Sequence, residues 1–165
     1  MSVATFRIAQ PHDCPLILQF INDLAVYEKM ENDVVADENL LKEWIFDKKA
    51  AEVIFAMVDG KEVGFAVFCQ NFSTFLGRAG LYLEDVFVQP EYRGRGIGKA
   101  ILRRLAAIAV QRGYGRMEWV CLDWNKPSID FYLNLDAEAL SEWTTYRLSG
   151  GPLSVLADDS ASANL

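Results

Sequence analysis

Residues 88–106 read VQPEYRGRGIGKAILRRLA, closing the apolar run LYLEDVFV and opening an amphipathic one. No other stretch constrains the chain so strongly. Gly94, Gly96 and Gly98 leave consecutive backbone N–H groups open to approach, because no Cβ stands beside them. Ile101, Leu102, Leu105, Ala106 and Ile108 recur at helical spacing, so a helix begins at the glycines and turns its positive end toward them. Arg93, Arg95 and Lys99 add charge at the same place. A strand, a bare basic turn and a helix start together describe an anion site of the phosphate kind. The plainer alternative is a glycine-rich turn with solvated arginines.

Spacing excludes two familiar phosphate loops. A P-loop needs four residues between its first glycine and the Gly-Lys pair, then Ser or Thr; here three residues separate Gly94 from Gly98, and Ala100 follows Lys99. The dinucleotide fingerprint needs a small residue three positions after its second glycine, where this chain has Lys99 or Ile101.

The rest of the pattern predicts a mixed, largely antiparallel α/β sheet flanked by helices. ATFRIAQ reads as a strand. Asp13 is placed to cap a helix through Leu16, Ile17, Phe20, Ile21 and Leu24, and Asp37 to cap a second through ENLLKEWIF. EVIFAMV and VGFAVFCQ flank an Asp59-Gly60 hairpin turn. MEWVCLD, PSIDFYLNL and EWTTYRLS follow the Gly/Arg helix as strand, helix and strand. The order is β-α-α-β-β-β-α-β-α-β, in one domain over residues 1–156, with 157–165 a flexible tail.

Composition narrows the chemistry. A net charge of −7 argues against nucleic acid and is compatible with a small cationic partner. No apolar run reaches the roughly 20 residues of a membrane span, and the N-terminus lacks signal-peptide character. Three well-separated cysteines fit a reduced, cytoplasmic protein rather than a disulfide framework or zinc site. With His12 the sole histidine, acid–base work falls to carboxylates, tyrosines and water, and no metal is expected.

The spacing Arg93-x-x-Gly96-x-Gly98 between strand and helix resembles the acetyl-CoA pyrophosphate loop of the GNAT acetyltransferases. YLEDVFVQPEYRGRGIG, DWNKPSIDFY and LAVYEKMEND are together similar to the diamine (spermidine/spermine) acetyltransferase branch of that superfamily, and the likeness runs from about Phe6 to Leu148. The resemblance implies acetyl-CoA as co-substrate, held by Phe87, Val88, Arg93, Gly94, Arg95, Gly96, Gly98, Lys99, Asn125 and Ser128, with Asn125 orienting CoA or the loop. It implies Tyr132 as the general acid beside the CoA sulfur, and Tyr27, Glu28 and Asp85 as contacts to a cationic amine. It also implies a splay of the sheet near Phe87 and Val88, and a homodimer.

An alkylammonium is about one part in a thousand free base at pH 7, so some group must take its proton before it attacks a thioester. Glu84 and Asp85 are adjacent on a strand and should face opposite sides. Glu84, working through a water, is the favoured proton acceptor. The reading is an N-acetyltransferase of small polyamines or diamines by direct attack in a ternary complex. Two features depart from the branch: Ser73, Thr74 and Phe75 stand where an acid and a tryptophan are usual, and Asp136 stands where a glycine is usual. The first opens the alternative of an amino-acid or thialysine acetyltransferase. From another class, a non-catalytic acetyl-CoA-binding module remains.

Overall fold

Apolar residues alternate on both faces of three long strands, and helices cover both faces. The computed structural model describes residues 4–160. The chain divides after Val120 into two compact units.

In the first unit β1 (Thr5–Ile8) is followed by a 3₁₀ turn (Pro11–Asp13) and helix α1 (Cys14–Glu28). Helix α2 (Glu38–Leu41) runs into a π-helical turn (Lys42–Asp47). Then come β2 (Glu52–Val58), β3 (Lys61–Ser73), β4 (Arg78–Val88), helix α3 (Ile97–Gln111) and the two-residue β5 (Met117–Glu118). The sheet order is β1-β2-β3-β4-β5, antiparallel except for the β4–β5 pair. This is the mixed, mostly antiparallel sheet that the sequence predicts. Asp59 and Gly60 both have positive φ, 50° and 77°, as a two-residue hairpin turn between β2 and β3 requires.

Phe20 of α1 packs on Phe65 (ring centroids 5.1 Å apart) and Phe55 (5.9 Å) in one core that also takes in Ile17, Leu24, Val53, Val67 and Phe87. Period-two alternation turns Gly64, Ala66 and Phe68 to the other face, under α3. There Gly64 is needed for close approach: a Cβ would stand 2.8 Å from the Phe87 carbonyl oxygen and 3.4 Å from Ile101 Cδ1.

Asp13 departs from its predicted role. Its side chain makes no capping bond to α1. Its carboxylate instead accepts two guanidinium N–H groups of Arg7, at 2.7 and 2.9 Å, and the Gln10 N–H at 2.7 Å. The bidentate pair with a cation outcompetes a single bond from a neutral N–H. Asp37 caps α2 as predicted, accepting from Leu40 N–H at 2.8 Å.

The second unit holds α4 (Lys126–Leu133) and α5 (Gly150–Ser160). EWTTYRLS does not form a strand, and no sheet neighbour meets it among the described residues; β-propensity needs a partner to become a strand. Of MEWVCLD only Met117 and Glu118 pair. Residues 157–160 of the expected tail belong to α5, and 161–165 lie outside the described residues. Among the described residues no helix is long and apolar enough to cross a membrane.

Candidate active site

The Gly/Arg loop has the backbone an anion site needs. Gly94 (φ +73°) and Gly96 (φ +79°) are left-handed, with open space where a Cβ would stand. Gly96 is the N-cap of α3 without any side-chain cap, and Ala100 N–H is the donor that bonds back to its carbonyl, at 3.0 Å. The amides of Ile97, Gly98 and Lys99 therefore have no partner within the helix. Arg95 and Lys99 lie exposed beside them, the Arg95 guanidinium 5.1 Å from the Tyr92 ring centre. Arg93 is placed differently: its Nε donates to the Val88 carbonyl at 2.8 Å, and its guanidinium sits 4.7 Å from the Tyr27 ring centre and 5.0 Å from that of Phe87. It ties the loop to the end of β4 and the end of α1.

The sheet opens beside this loop. β5 pairs with β4 only at Leu81 and Tyr82, so from Leu83 to Val88 the strand has β3 alone as a neighbour in this unit. Gln89 N–H donates to the Val63 carbonyl at 2.9 Å. Alternation then turns the Phe87 peptide toward β3 and the Val88 N–H toward the open edge. The Val88 carbonyl, engaged by Arg93 rather than by β3, agrees.

A β-bulge lies upstream, at Glu84. Val67 pairs with Asp85 and Phe68 with Leu83, leaving Glu84 as the extra residue, while Phe65–Phe87 and Gly64–Val88 stay in register. The predicted opposite-face arrangement of Glu84 and Asp85 is therefore overturned. Glu84 stands two residues after Tyr82, which pairs with Cys69, and Asp85 pairs with Val67; Cys69 and Val67 share the α1 face, so both carboxylates turn to it. A bulge is the device that allows two neighbouring side chains to do this. The adjacent acid pair inside an apolar strand was the one signal in the sequence for it.

Glu28, at the last position of α1, completes a cluster of three carboxylates with Glu84 and Asp85. Asp85 is partly buried and Glu84 exposed. Burial pushes the Asp85 carboxyl up to about 6, with the negative charges of Glu84 and Glu28 adding to the effect. Burial also raises Glu28. Burial and then the Glu84 charge raise the Cys69 thiol, a neighbour that the sequence pattern does not reveal. Ser73, the last residue of β3, is buried, its Oγ accepting from Leu76 N–H of the following turn at 3.2 Å.

In the second unit Asn125 is 5% exposed and caps α4, its Oδ1 accepting from Ser128 N–H at 3.3 Å. Tyr132 lies one turn beyond Ser128 on the same helix face, partly buried, its ring centre 5.4 Å from that of Phe131. Its carbonyl accepts from Leu135 and Ala137 N–H at 2.9 and 3.2 Å, which closes the helix. Asp136 stands in that closing turn with φ 60°.

The first unit thus combines an uncapped helix start behind left-handed glycines, a strand with one open edge and an acid cluster on one face. The acetyltransferase (GNAT) family pattern matches residues 18–136. The thialysine N-epsilon-acetyltransferase of Bos taurus is 35% identical, over 95% of this chain and 99% of that protein. The spermidine/spermine N(1)-acetyltransferase-like protein 1 of Homo sapiens is 31% identical over 90% of this chain, though only 23% of its own length. Among solved structures, an integron cassette protein from V. cholerae superposes with a TM-score of 0.78 at 29% identity, covering 95% of this chain and 98% of that one. The chain belongs to the GNAT acetyltransferase family, in its diamine acetyltransferase-like branch, and is an acetyl-CoA-dependent N-acetyltransferase.

Proposed function

We propose that the acceptor is the terminal amine of a short lysine-like amino acid such as thialysine. The observation that carries this reading is Ser73. The turn before β4 offers a buried hydroxyl, already engaged with Leu76 N–H, where polyamine enzymes of the branch place an acid. A second ammonium of a long polyamine would find no carboxylate there. The activity for which the bovine relative is named supports the same choice. The diamine or polyamine reading stands second, favoured by the cluster of Glu28, Glu84 and Asp85, which suits more than one positive charge.

The uncapped amides of α3, with Gly94, Gly96, Gly98, Arg95 and Lys99, cradle the pyrophosphate. Arg93 holds the loop in place rather than the phosphate itself, and Asn125 and Ser128 order the start of α4. The Val88 N–H polarises the thioester carbonyl from the open edge of β4. Tyr27, Glu28, Glu84 and Asp85 receive the amine, and one of the two β4 acids takes its proton. Tyr132 gives a proton to the leaving thiolate, whose thiol is more acidic than a phenol. The amine attacks the thioester directly, without a covalent enzyme intermediate. Residues 1–156 act as one catalytic domain, a view supported by a family match that runs through both compact units. The protein works in the cytoplasm as a homodimer; Trp143 and Tyr146, 77% and 91% exposed, suit a partner copy.

Free thiol release from acetyl-CoA, measured with thialysine, lysine, ornithine, putrescine, spermidine and spermine, tests this. The expected order puts thialysine first. Faster release with spermidine or spermine would move the assignment to the second reading.

A further inference from the structure

The bulge in β4 gives the two neighbouring carboxylates different surroundings on one face, and that difference assigns their roles. Resting on the amine-acceptor reading of the site, we infer that Asp85, not Glu84, takes the proton from the acceptor ammonium, and that Glu84 passes it on to water. The sequence alone points instead to Glu84, acting through a water, with the two acids on opposite faces.

The bulge residue Glu84 is exposed, whereas Asp85, in register with Val67 and on the face of Phe87, is partly buried. The groups whose charge raises Asp85 are Glu84 from its own strand and Glu28 from α1; on the same face stand Tyr27, at the end of α1, and Arg93, whose guanidinium lies 4.7 Å from the Tyr27 ring centre and 5.0 Å from that of Phe87. From β3 come the apolar Val67 opposite Asp85 and the Cys69 thiol beside Glu84. The Arg93 guanidinium is engaged by the Val88 carbonyl and the Tyr27 and Phe87 rings, and no attraction from a cation offsets the burial of Asp85. Burial and the two like charges bring it to about 6, nearer to the amine it must deprotonate and to the pH at which a general base works best. Glu84 touches bulk water and stands next in the chain, where a relay belongs.

The step balances. The ammonium N–H proton moves to an Asp85 carboxylate oxygen, and the freed lone pair forms the C–N bond at the thioester carbonyl carbon. The C–S bond breaks, and the thiolate leaves as thiol with the proton of the general acid. The nitrogen, now bonded to carbon, loses its second N–H proton through water to the general acid, which is thereby restored, and Asp85 returns its own proton to solvent through Glu84, so the net products are amide, thiol and one proton.

The test is the pH dependence of thiol release for the full-length wild type, Asp85→Asn, Glu84→Gln and Glu28→Gln, with thialysine and with hydroxylamine, an acceptor already neutral at assay pH. Binding of acetyl-CoA by titration calorimetry reports that each variant is folded. Asp85→Asn is expected to lower kcat with thialysine by about 10²–10⁴-fold, with much of that loss absent for hydroxylamine. Glu84→Gln is expected to lower kcat by about tenfold or less and, like Glu28→Gln, to move the acid limb of kcat/KM to lower pH, since each removes a like charge beside Asp85. A larger loss in Glu84→Gln than in Asp85→Asn, or an Asp85→Asn defect equal for charged and neutral acceptors, overturns the inference while the acceptor reading stands. A wild type that turns over none of the amines overturns that reading and the inference with it.

Discussion

Two aspartates hold positions that cost the fold energy. Asp136 occupies a left-handed conformation, φ 60°, in the turn that closes α4, where glycine meets no Cβ penalty. Replacing Asp136 with Gly should stabilise the protein by about 0.5–1 kcal/mol, visible as a raised midpoint in urea unfolding with an unchanged slope. Asp85 carries the second cost. Its folded-state pKa is raised, so the native state binds the proton more tightly than the unfolded chain. Its contribution is therefore most favourable below the unfolded value of about 4 and is lost as pH rises through about 6. At pH 7 the ionised group destabilises the fold, and Asp85→Asn should raise stability by about 2 kcal/mol while it lowers turnover. At pH 4 the two proteins should differ much less in thermal midpoint; an equal gain at both pH values would rule out the buried charge as its source.

At the scale of elements, the Arg7 network joins three pieces of chain. Arg7 on β1 binds Asp13 at the entry to α1 and Glu62 on β3, the latter at 2.9 and 3.0 Å, with its guanidinium 4.5 Å from the Phe55 ring centre. Asp13 is buried, so Arg7→Met would leave a carboxylate inside without its cation, at a cost of about 3 kcal/mol. The Arg7 guanidinium holds Asp13 below the usual carboxylate range. The sign is thus opposite to that of Asp85: this stability is present above about pH 4 and is lost as pH falls further. Acid unfolding of Arg7→Met should therefore be shallower than that of wild type below about pH 4. The start of α3 makes a separate element-scale prediction. Gly96→Ala forces a side chain into φ +79° beside the uncapped amides, and the Kd for acetyl-CoA should rise by about tenfold or more, with little change in acceptor specificity.

At the scale of the whole molecule, 23 acids against 16 bases give a field that attracts cations. The KM for a cationic amine should rise about 2–5-fold as ionic strength increases from 0.01 to 0.15 M, because the Debye length shrinks from about 30 to about 8 Å. The KM for hydroxylamine should stay nearly constant, which separates field effects from general salt effects on the enzyme.

What was legible in the sequence was local or periodic. The Gly/Arg loop and the helix after it were readable because glycine spacing and a following helical period act within about 15 residues. The Asp59-Gly60 turn, the Asp37 cap and the existence of β2 and β3 were readable for the same reason. The tertiary structure decided what depends on register and competition between distant groups. Whether Asp13 caps a helix or binds Arg7 depends on a strand that folds back beside it. Whether EWTTYRLS becomes a strand depends on a neighbour to pair with. Most consequentially, the sequence places Glu84 and Asp85 on opposite faces, since a regular strand must, and only the β3–β4 register, with one residue more on β4 than on β3, turns them to the same face. A register is set by pairing over the whole strand, not by the residues at the bulge, and so the adjacent acid pair was visible in the sequence while its arrangement was not.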